Sequence, residues 1–438
     1  MLKRDHLYPK APVLGMRANS GQFMQQLVQV FFVGMTIGLQ RNVLPALAED
    51  EFGLASGSLI YFMTFIASFG FVKGAMNFVA GSLSERLGRR PVLLLGWLFA
   101  IPIPFLIYYS QSWTWIVLTN LLLGVNQGFA WSMTVTSKMD ITKPDERGLA
   151  TGFNEFSGYV GVAIAGILTG YLASWYDPRT TLLIFGLAIV LLALLSAYLF
   201  AAETRLWAQA EAKELSDKAG LGPDAGPRSI YADPGAQSVF AFVSYGHRTL
   251  SALSQAGLVE KFADALVWGF FPLFLAGQGL NLKEIGWIVG TYGLMWGVNQ
   301  LWTGYLSDSW GRKWLIFAGM LFCAFGVAIF PRLEGVVMWS LAAAITGFGM
   351  ALLYPTLIAA VGDIAPPSCR GSILGVYRFW RDTGYGIGAL LIGAVADLSG
   401  AIEVSFYVVA VALVVSAGWL AIFAEETLPA KRLVRHNP

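Results

Sequence analysis

The chain has 438 residues, of which 56% are apolar, 14% aromatic and 13% charged, with a net charge of +2 and a mean hydropathy of +0.61. A water-soluble globular protein carries about 25% charged residues, so a soluble domain is excluded and a membrane protein is indicated. Net charge near zero gives no electrostatic footprint for nucleic acid, and the only two cysteines, Cys323 and Cys369, imply no disulfide framework.

A transmembrane helix needs about 20 apolar residues, and twelve segments reach that length, six on each side of a polar stretch near the middle. Span one runs from about Phe23 to Ala48 and is interrupted by Gln40-Arg41-Asn42, with Pro45 beyond. Span two, from about Ser58 to Leu83, carries Lys73 and Asn77 one turn apart on one face, and the small-residue pattern Gly70-x-x-x-Gly74. Span three follows Pro91. Span four, from about Trp113 to Ser137, carries Asn120, Asn126, Gln127 and Trp131, and Lys138 to Arg147 reads as a charged loop. Span five starts near Gly148 and holds Asn154 and Glu155, the carboxylate roughly 10 Å inside the membrane by helix rise. Span six ends at Ala202-Glu203-Thr204.

The polar stretch divides in three. Trp207 to Lys218 reads as helix, Gly220 to Gly235 as a flexible Gly/Pro/Asp segment, and Val239 to Ala256 as a surface-lying entry to span seven. Span seven, about Leu253 to Leu275, contains Glu260, Lys261, Asp264 and Trp268; span eight contains Gln300; span ten contains Tyr354. Span eleven, about Ser372 to Val395, carries Tyr377, Arg378, Arg381 and Asp382, and span twelve ends near Ala424. The expected organisation is a tail over 1–20, a six-helix bundle over 21–204, a linker over 205–248, a second bundle over 249–427 and a tail over 428–438. No small-residue cleavage site precedes span one, so no removable signal peptide is expected.

Of the 29 Lys and Arg, 21 fall in the even-numbered loops, the linker and the tails, three (Arg179, Lys283, Arg332) in odd-numbered loops, and five within spans. The positive-inside rule then places both termini in the cytoplasm of a cell-membrane protein.

One polar hairpin recurs. Gly81-Ser-Leu-Ser-Glu-Arg-Leu-Gly-Arg-Arg90 returns 223 residues later as Gly304-Tyr-Leu-Ser-Asp-Ser-Trp-Gly-Arg-Lys313. In each, a Gly ends a hydrophobic helix, an acid follows four positions on (Glu85, Asp308), a second Gly three further (Gly88, Gly311), then two cations (Arg89 and Arg90, Arg312 and Lys313). The same offset pairs Gly70-x-x-x-Gly74 with Gly293-x-x-x-Gly297, Asn77 with Gln300, Asp140 with Asp363, Arg147-Gly148 with Arg370-Gly371, Glu155 with Arg378, and Glu203-Thr204 with Glu426-Thr427. Two homologous halves explain this.

The hairpin pattern resembles the loop 2–3 signature of the major facilitator superfamily, G-x-L-a-D-x-x-G-R-[RK]; the first copy departs in having Glu85 where the family has Asp. The resemblance implies an all-α membrane fold of twelve transmembrane helices in two six-helix bundles, related by an axis along the membrane normal, with substrate near the midplane. It further implies that spans one, four, seven and ten line the cavity and that two, five, eight and eleven form the interface between halves. Five cations (Arg41, Lys73, Lys261, Arg378, Arg381) and four acids (Glu155, Glu260, Asp264, Asp382) lie on those spans, where charge is costly and needs a reason.

From these we expect substrate contacts at Arg41, Lys73, Asn126, Gln127, Trp131, Trp268, Gln300, Tyr354 and Arg381; the bland reading of the aromatics is packing, and of the cations, pairing with structural acids. Proton coupling is expected at Glu155, Asp264 or Asp382, with a permanent latch as the alternative for Glu155. A gating role is expected for the hairpin residues Gly81, Glu85, Gly88, Arg89, Arg90, Gly304, Asp308, Gly311, Arg312 and Lys313. Arg378 joins them as a partner for Glu85. In this reading Glu85 and Asp308 receive the positive ends of the helices beginning near Ser372 and Gly148.

The five-to-four excess of cations tilts the expected substrate toward a small organic anion. A proton-linked exporter of drugs or amphipathic compounds is the first alternative, although Asn120 to Gly128 contains no cation and Gly158 to Gly170 no Pro, both usual in such exporters. A non-transporting sensor on the same scaffold is the second. No phosphate-binding P-loop is present, and the three His (His6, His247, His436) lie outside the spans, so neither an enzyme, a cofactor nor a metal site is expected. The protein is expected to act as a monomer in the bilayer.

Overall fold

The computed structural model describes residues 12–41, 59–218 and 238–429. The side chain of Arg41, the end of span one beyond it with Pro45, the Gly220–Gly235 segment and the outermost tails lie outside the described residues. Among the described residues, twelve long helical segments follow one another in the two bundles: α1 Ser20–Arg41, α2 Leu59–Leu87, α3 Arg89–Ala100 extended past Ile101 by Pro102–Tyr108, α4 Trp113–Ile141, α5 Arg147–Trp175 and α6 Pro178–Phe200, then α7 Arg248–Gly277, α8 Leu282–Trp310, α9 Lys313–Ile329, α10 Val336–Ile364, α11 Arg370–Ser399 and α12 Ile402–Phe423. The first six form one bundle and the last six the other, and the linker helix Arg205–Lys218 stands between them in sequence. At 1.5 Å per residue the 29-residue helices reach about 44 Å, enough to cross a bilayer with some tilt.

Seven of the twelve, α2, α3, α5, α6, α9, α10 and α12, are long and apolar enough to cross a membrane on composition alone. The other five, α1, α4, α7, α8 and α11, are diluted by polar residues that the fold turns inward: Gln29, Asn126, Glu260, Gln300 and Arg381 are all buried. Conversely, α6 and α12 present Ile184, Leu191, Leu195, Val411, Val415 and Ile422 outward. Apolar side chains ranged over the outside of a helical bundle face hydrocarbon, whose lack of water also obliges the backbone to bond within each helix.

Inside each half, side-chain bonds to neighbouring backbones fix helix register. Trp97 on α3 donates to Gln29 Oε1 at 2.7 Å, Asn126 donates to the Gly96 carbonyl at 2.9 Å, and Gln127 donates to the Val33 carbonyl at 3.0 Å and Thr36 Oγ1 at 2.9 Å. In the other half Thr303 donates to the Ala351 carbonyl at 2.6 Å.

The halves meet along two seams, and the seams differ. On the α2–α11 seam, a Cβ added at Gly70 would meet Tyr385 and Gly386, at Gly74 Thr383 and the Phe379 carbonyl, and at Gly81 Gly371 and Gly375, so bare backbone is required at all three positions. On the α5–α8 seam, Gly304 abuts Gly148 and Gly152 in the same way, but Gly293 has nothing within 4 Å and Gly297 only Tyr159 at that limit. The repeated small-residue pattern is used for close packing in one seam only.

This asymmetry predicts opposite outcomes for two like substitutions. Gly→Ala inside a helix gains up to about 1 kcal/mol of propensity, which Gly293→Ala should keep, raising or preserving the melting temperature in detergent. Gly74→Ala must displace helix backbone and should lose about 1–3 kcal/mol to overpacking, seen as a lowered melting temperature in the same assay.

Candidate functional site

Two layers of charge lie across the interface between the halves. The first is at the end where the repeated hairpins join α2 to α3 and α8 to α9. Each hairpin turns on a glycine of positive φ, Gly88 at 98° and Gly311 at 97°. That conformation suits Gly alone, and a Cβ there would also collide with the carboxylate of Glu203 or Glu426. Those two carboxylates, from the ends of α6 and α12, receive the first backbone N–H groups of α3 and α9: Arg89 N to Glu203 at 2.8 Å and Arg90 N at 3.2 Å, Arg312 N to Glu426 at 2.8 Å and Lys313 N at 3.2 Å. A carboxylate at a helix N-terminus satisfies donors that have no partner within the helix.

The hairpin acids reach across to the opposite half. Asp308 accepts from Gly148 N and Leu149 N, both at 2.8 Å, at the start of α5, and Glu85 accepts from Gly371 N at 2.7 Å at the start of α11. The extra methylene of Glu85 leaves it with one such backbone bond where Asp308 has two. Arg89 holds Glu85 at 3.0 Å and Asp140 at 2.8 Å; Arg312 holds Asp308 at 2.8 Å and Asp363 at 2.9 Å. Each of the buried carboxylates Asp140 and Asp363 also takes an arginine from the other half, Arg370 at 3.4 Å and Arg147 at 3.6 Å. Arg90 instead stays within its own half, bonded to the Tyr198 carbonyl at 2.7 Å, and Lys313 lies over the Trp314 ring.

The second layer is the central cavity, lined by Ile37, Phe69, Lys73, Trp131, Tyr159, Val162, Trp268, Tyr354 and Tyr385, with about 30 Å³ of free volume. That is room for about two or three waters, so an organic solute enters only after the halves separate. Lys73 is the one charged residue among those lining it; its ammonium lies 3.8 Å from Asp382 and 5.3 Å from the Trp131 ring centroid. Asp382 is further held by Arg381 at 2.9 Å and Asn77 at 2.7 Å. Lys261 sits between Glu260 at 3.1 Å and Asp264 at 3.5 Å, under the rings of Tyr354 and Tyr385. Asp264 also accepts from Tyr292 Oη at 3.1 Å and from Tyr385 Oη. Glu155 accepts from Trp131 Nε1 at 3.0 Å and Asn154 Nδ2 at 2.8 Å through one oxygen, and its other oxygen has no hydrogen-bond partner.

Several expected positions change meaning. Arg378 was expected beside Glu85 but lies deeper: among the described residues its guanidinium bonds only the Trp131 carbonyl, at 3.5 Å through Nη1, Nε and Nη2 have no partner, and no carboxylate lies within 4 Å of it. The hairpin acid takes Arg89 and the Gly371 N–H as its partners instead. Asn126 and Gln127 bond neighbouring helices and do not line the cavity, and buried Gln300, whose side-chain atoms have no bond, does not either. Lys138, read from the sequence as the start of a loop, is inside α4, fully buried, with its ammonium 2.7 Å from Asn154 Oδ1. Helix propensity and hydropathy both fade at that point, and burial against α5 is what carries α4 one turn further. Tyr159, Tyr292 and Tyr385 were missed because a tyrosine in a span looks like packing until the fold aims its hydroxyl.

The matched pairs at the hairpin end allow a direct test. Arg312→Ala or Asp363→Ala alone should cost about 3–5 kcal/mol in thermal or denaturant unfolding, and the double-mutant cycle of the pair should give a coupling of about 0.5–3 kcal/mol, against about 0–1 kcal/mol for an exposed pair.

The sequence profile of the Major Facilitator Superfamily matches residues 27–260 and 253–436. The uncharacterized MFS-type transporter STM4428 of Salmonella typhimurium is 24% identical over 93% of this chain and 97% of its own length. Two others match in part only: the uncharacterized MFS-type transporter MJ1560 of Methanocaldococcus jannaschii, 29% identical over 34% of this chain and 39% of its own, and the multidrug resistance protein MdtH of Yersinia enterocolitica, 31% identical over 39% and 45%. Among solved structures, the proton:xylose symporter XylE superposes with a TM-score of 0.74 over 95% of this chain and 99% of its own at 16% identity. The human organic anion transporter MFSD10 does so with 0.73 over 92% and 99%, also at 16%. With twelve spans in two repeated halves and profile matches over both, the chain belongs to the Major Facilitator Superfamily and is a multi-pass membrane transporter of that family.

Proposed function

We propose that this transporter moves a small organic anion by rocking its two halves about the central cavity, coupled to a proton. The observation that carries the anion is the buried charge left over after pairing. Around the cavity and just beneath it stand five buried cations, Lys73, Lys138, Lys261, Arg378 and Arg381, and four buried acids, Glu155, Glu260, Asp264 and Asp382. Arg381 is taken by Asp382, Lys261 by Glu260 and Asp264, and Lys138 by the amide oxygen of Asn154, so the guanidinium of Arg378 and the loosely held ammonium of Lys73 are the groups available to an incoming carboxylate. A planar guanidinium with two open donors suits a carboxylate or phosphate group. In this reading Lys73 makes first contact, and Trp131, Trp268 and Tyr354 provide an aromatic wall for the organic part. Arg41 remains a candidate at the far end of α1.

Glu155 is the coupling acid we favour over Asp264 and Asp382. Asp382 is clamped by three donors and Asp264 by two tyrosines and a lysine, whereas Glu155 keeps one oxygen open. A carboxyl that must gain and lose a proton each cycle is poorly served by permanent cations. The excess of Lys and Arg on the hairpin side makes that side cytoplasmic, and the network of Glu85, Arg89, Asp308 and Arg312 then holds the cytoplasmic entrance shut. A drug-exporter reading draws on the aromatic cavity lining and on the partial likeness to MdtH.

The two readings separate by experiment. In thermal-shift titrations of purified protein, an organic anion present at 100 times its Kd should stabilise by about 2.7 kcal/mol. Arg378→Ala and Lys73→Ala should abolish that shift; a cationic drug whose shift survives both substitutions would replace the anion. In proteoliposomes, Glu155→Gln should retain binding while losing at least about tenfold of the uptake driven by a pH gradient. Glu85→Lys should reach the membrane yet fail to transport, and normal transport by that variant would remove the gating role of the hairpin.

A further inference from the structure

The linker helix places one carboxylate where the two halves meet. Glu211 is 6% exposed, and its two oxygens divide between the halves: Oε1 lies 3.3 Å from Arg147 at the start of α5, and Oε2 lies 2.8 Å from Arg370 at the start of α11. These arginines are repeat mates, 223 residues apart, so the carboxylate sits on the pseudo-twofold relation between the bundles and closes a chain Asp140–Arg370–Glu211–Arg147–Asp363. The apolar side of the helix that carries it packs on the N-terminal half. Trp207, one turn earlier on the same face, is buried among Phe23, Ile141 and Ala202, and its indole N–H donates to Asn19 Oδ1 at 3.0 Å.

We propose that Glu211 is a positioning residue for the transport cycle: a clasp, anchored on the N-terminal half through Trp207, that ties Arg147 to Arg370 and must let go before the hairpin end can open. A single acid shared by two like charges from two moving bodies is favourable only while both are close. Separation leaves at least one buried arginine short of a partner, so the clasp sets the ratio of closed to open molecules and leaves the cavity untouched. The proposal rests on the rocking of the two halves.

Spin labels at Arg86→Cys and Ser309→Cys, exposed repeat mates at the hairpin ends of α2 and α8, with Cys323 and Cys369 changed to Ser, report the opening by pulsed dipolar distance measurement without any substrate. Glu211→Gln should raise the ratio of long-distance to short-distance populations about tenfold. Trp207→Ala, which keeps the carboxylate but frees its helix, should move it in the same direction. Lys213→Ala, exposed on the same helix, should not. If Asp308→Asn lengthens the distance while Glu211→Gln and Trp207→Ala do not, the clasp is overturned and the rocking survives. If none of the three lengthens it, both ideas fall.

Discussion

A charge buried at a helix end is tolerated only while an opposite charge stays within reach, and this constraint governs the hairpin end of the molecule. Arg89, Arg147, Arg312 and Arg370 are all at most 1% exposed. Each is paired with Asp140 or Asp363, and each of those two aspartates serves one arginine from its own half and one from the other. Pulling the halves apart therefore strips both aspartates of a partner in one motion. A contact of this kind adds little net stability compared with apolar packing, yet its loss is expensive.

The glycines and the charges act together there. Gly81 with Gly371, and Gly304 with Gly148, bring helix backbones close enough for a short acidic side chain to cap the neighbouring helix. Larger residues would hold the helices apart, and Glu85 and Asp308 would then face water instead of backbone N–H groups. Further along, the seams part company: α2 remains closely packed on α11 as far as Gly70, while α8 has left α5 by Gly293. The pseudo-symmetry of the sequence is thus kept at one end of the molecule and abandoned toward the other.

The cavity shows a different economy. Its acids and bases are mostly spent on one another, and its aromatic rings cover the lysines, Lys73 over Trp131 and Lys261 over Tyr354 and Tyr385. Cation–π contacts of this sort are worth more when water is excluded, and here they add to the ion pairs that Lys73 makes with Asp382 and Lys261 with Glu260 and Asp264.

Much of this was legible in the sequence. Twelve apolar segments, their polar interruptions and the 223-residue repeat determined the spans, the two-bundle fold and the pairing of Asp140 with Asp363 and of Arg147 with Arg370 as repeat mates, though not their roles, because hydropathy and periodicity are local properties that the chain carries whatever its neighbours do. Three things were decided only by tertiary structure: that Arg378 lies beside Trp131 and not at Glu85, that Asn126 and Gln127 tie helices and do not face the cavity, and that Glu211 of an ordinary-looking polar helix sits between two arginines. Each depends on which way a side chain points and what stands opposite it, and that is fixed by the packing of helices from distant parts of the chain, about which the order of residues along any one of them is silent.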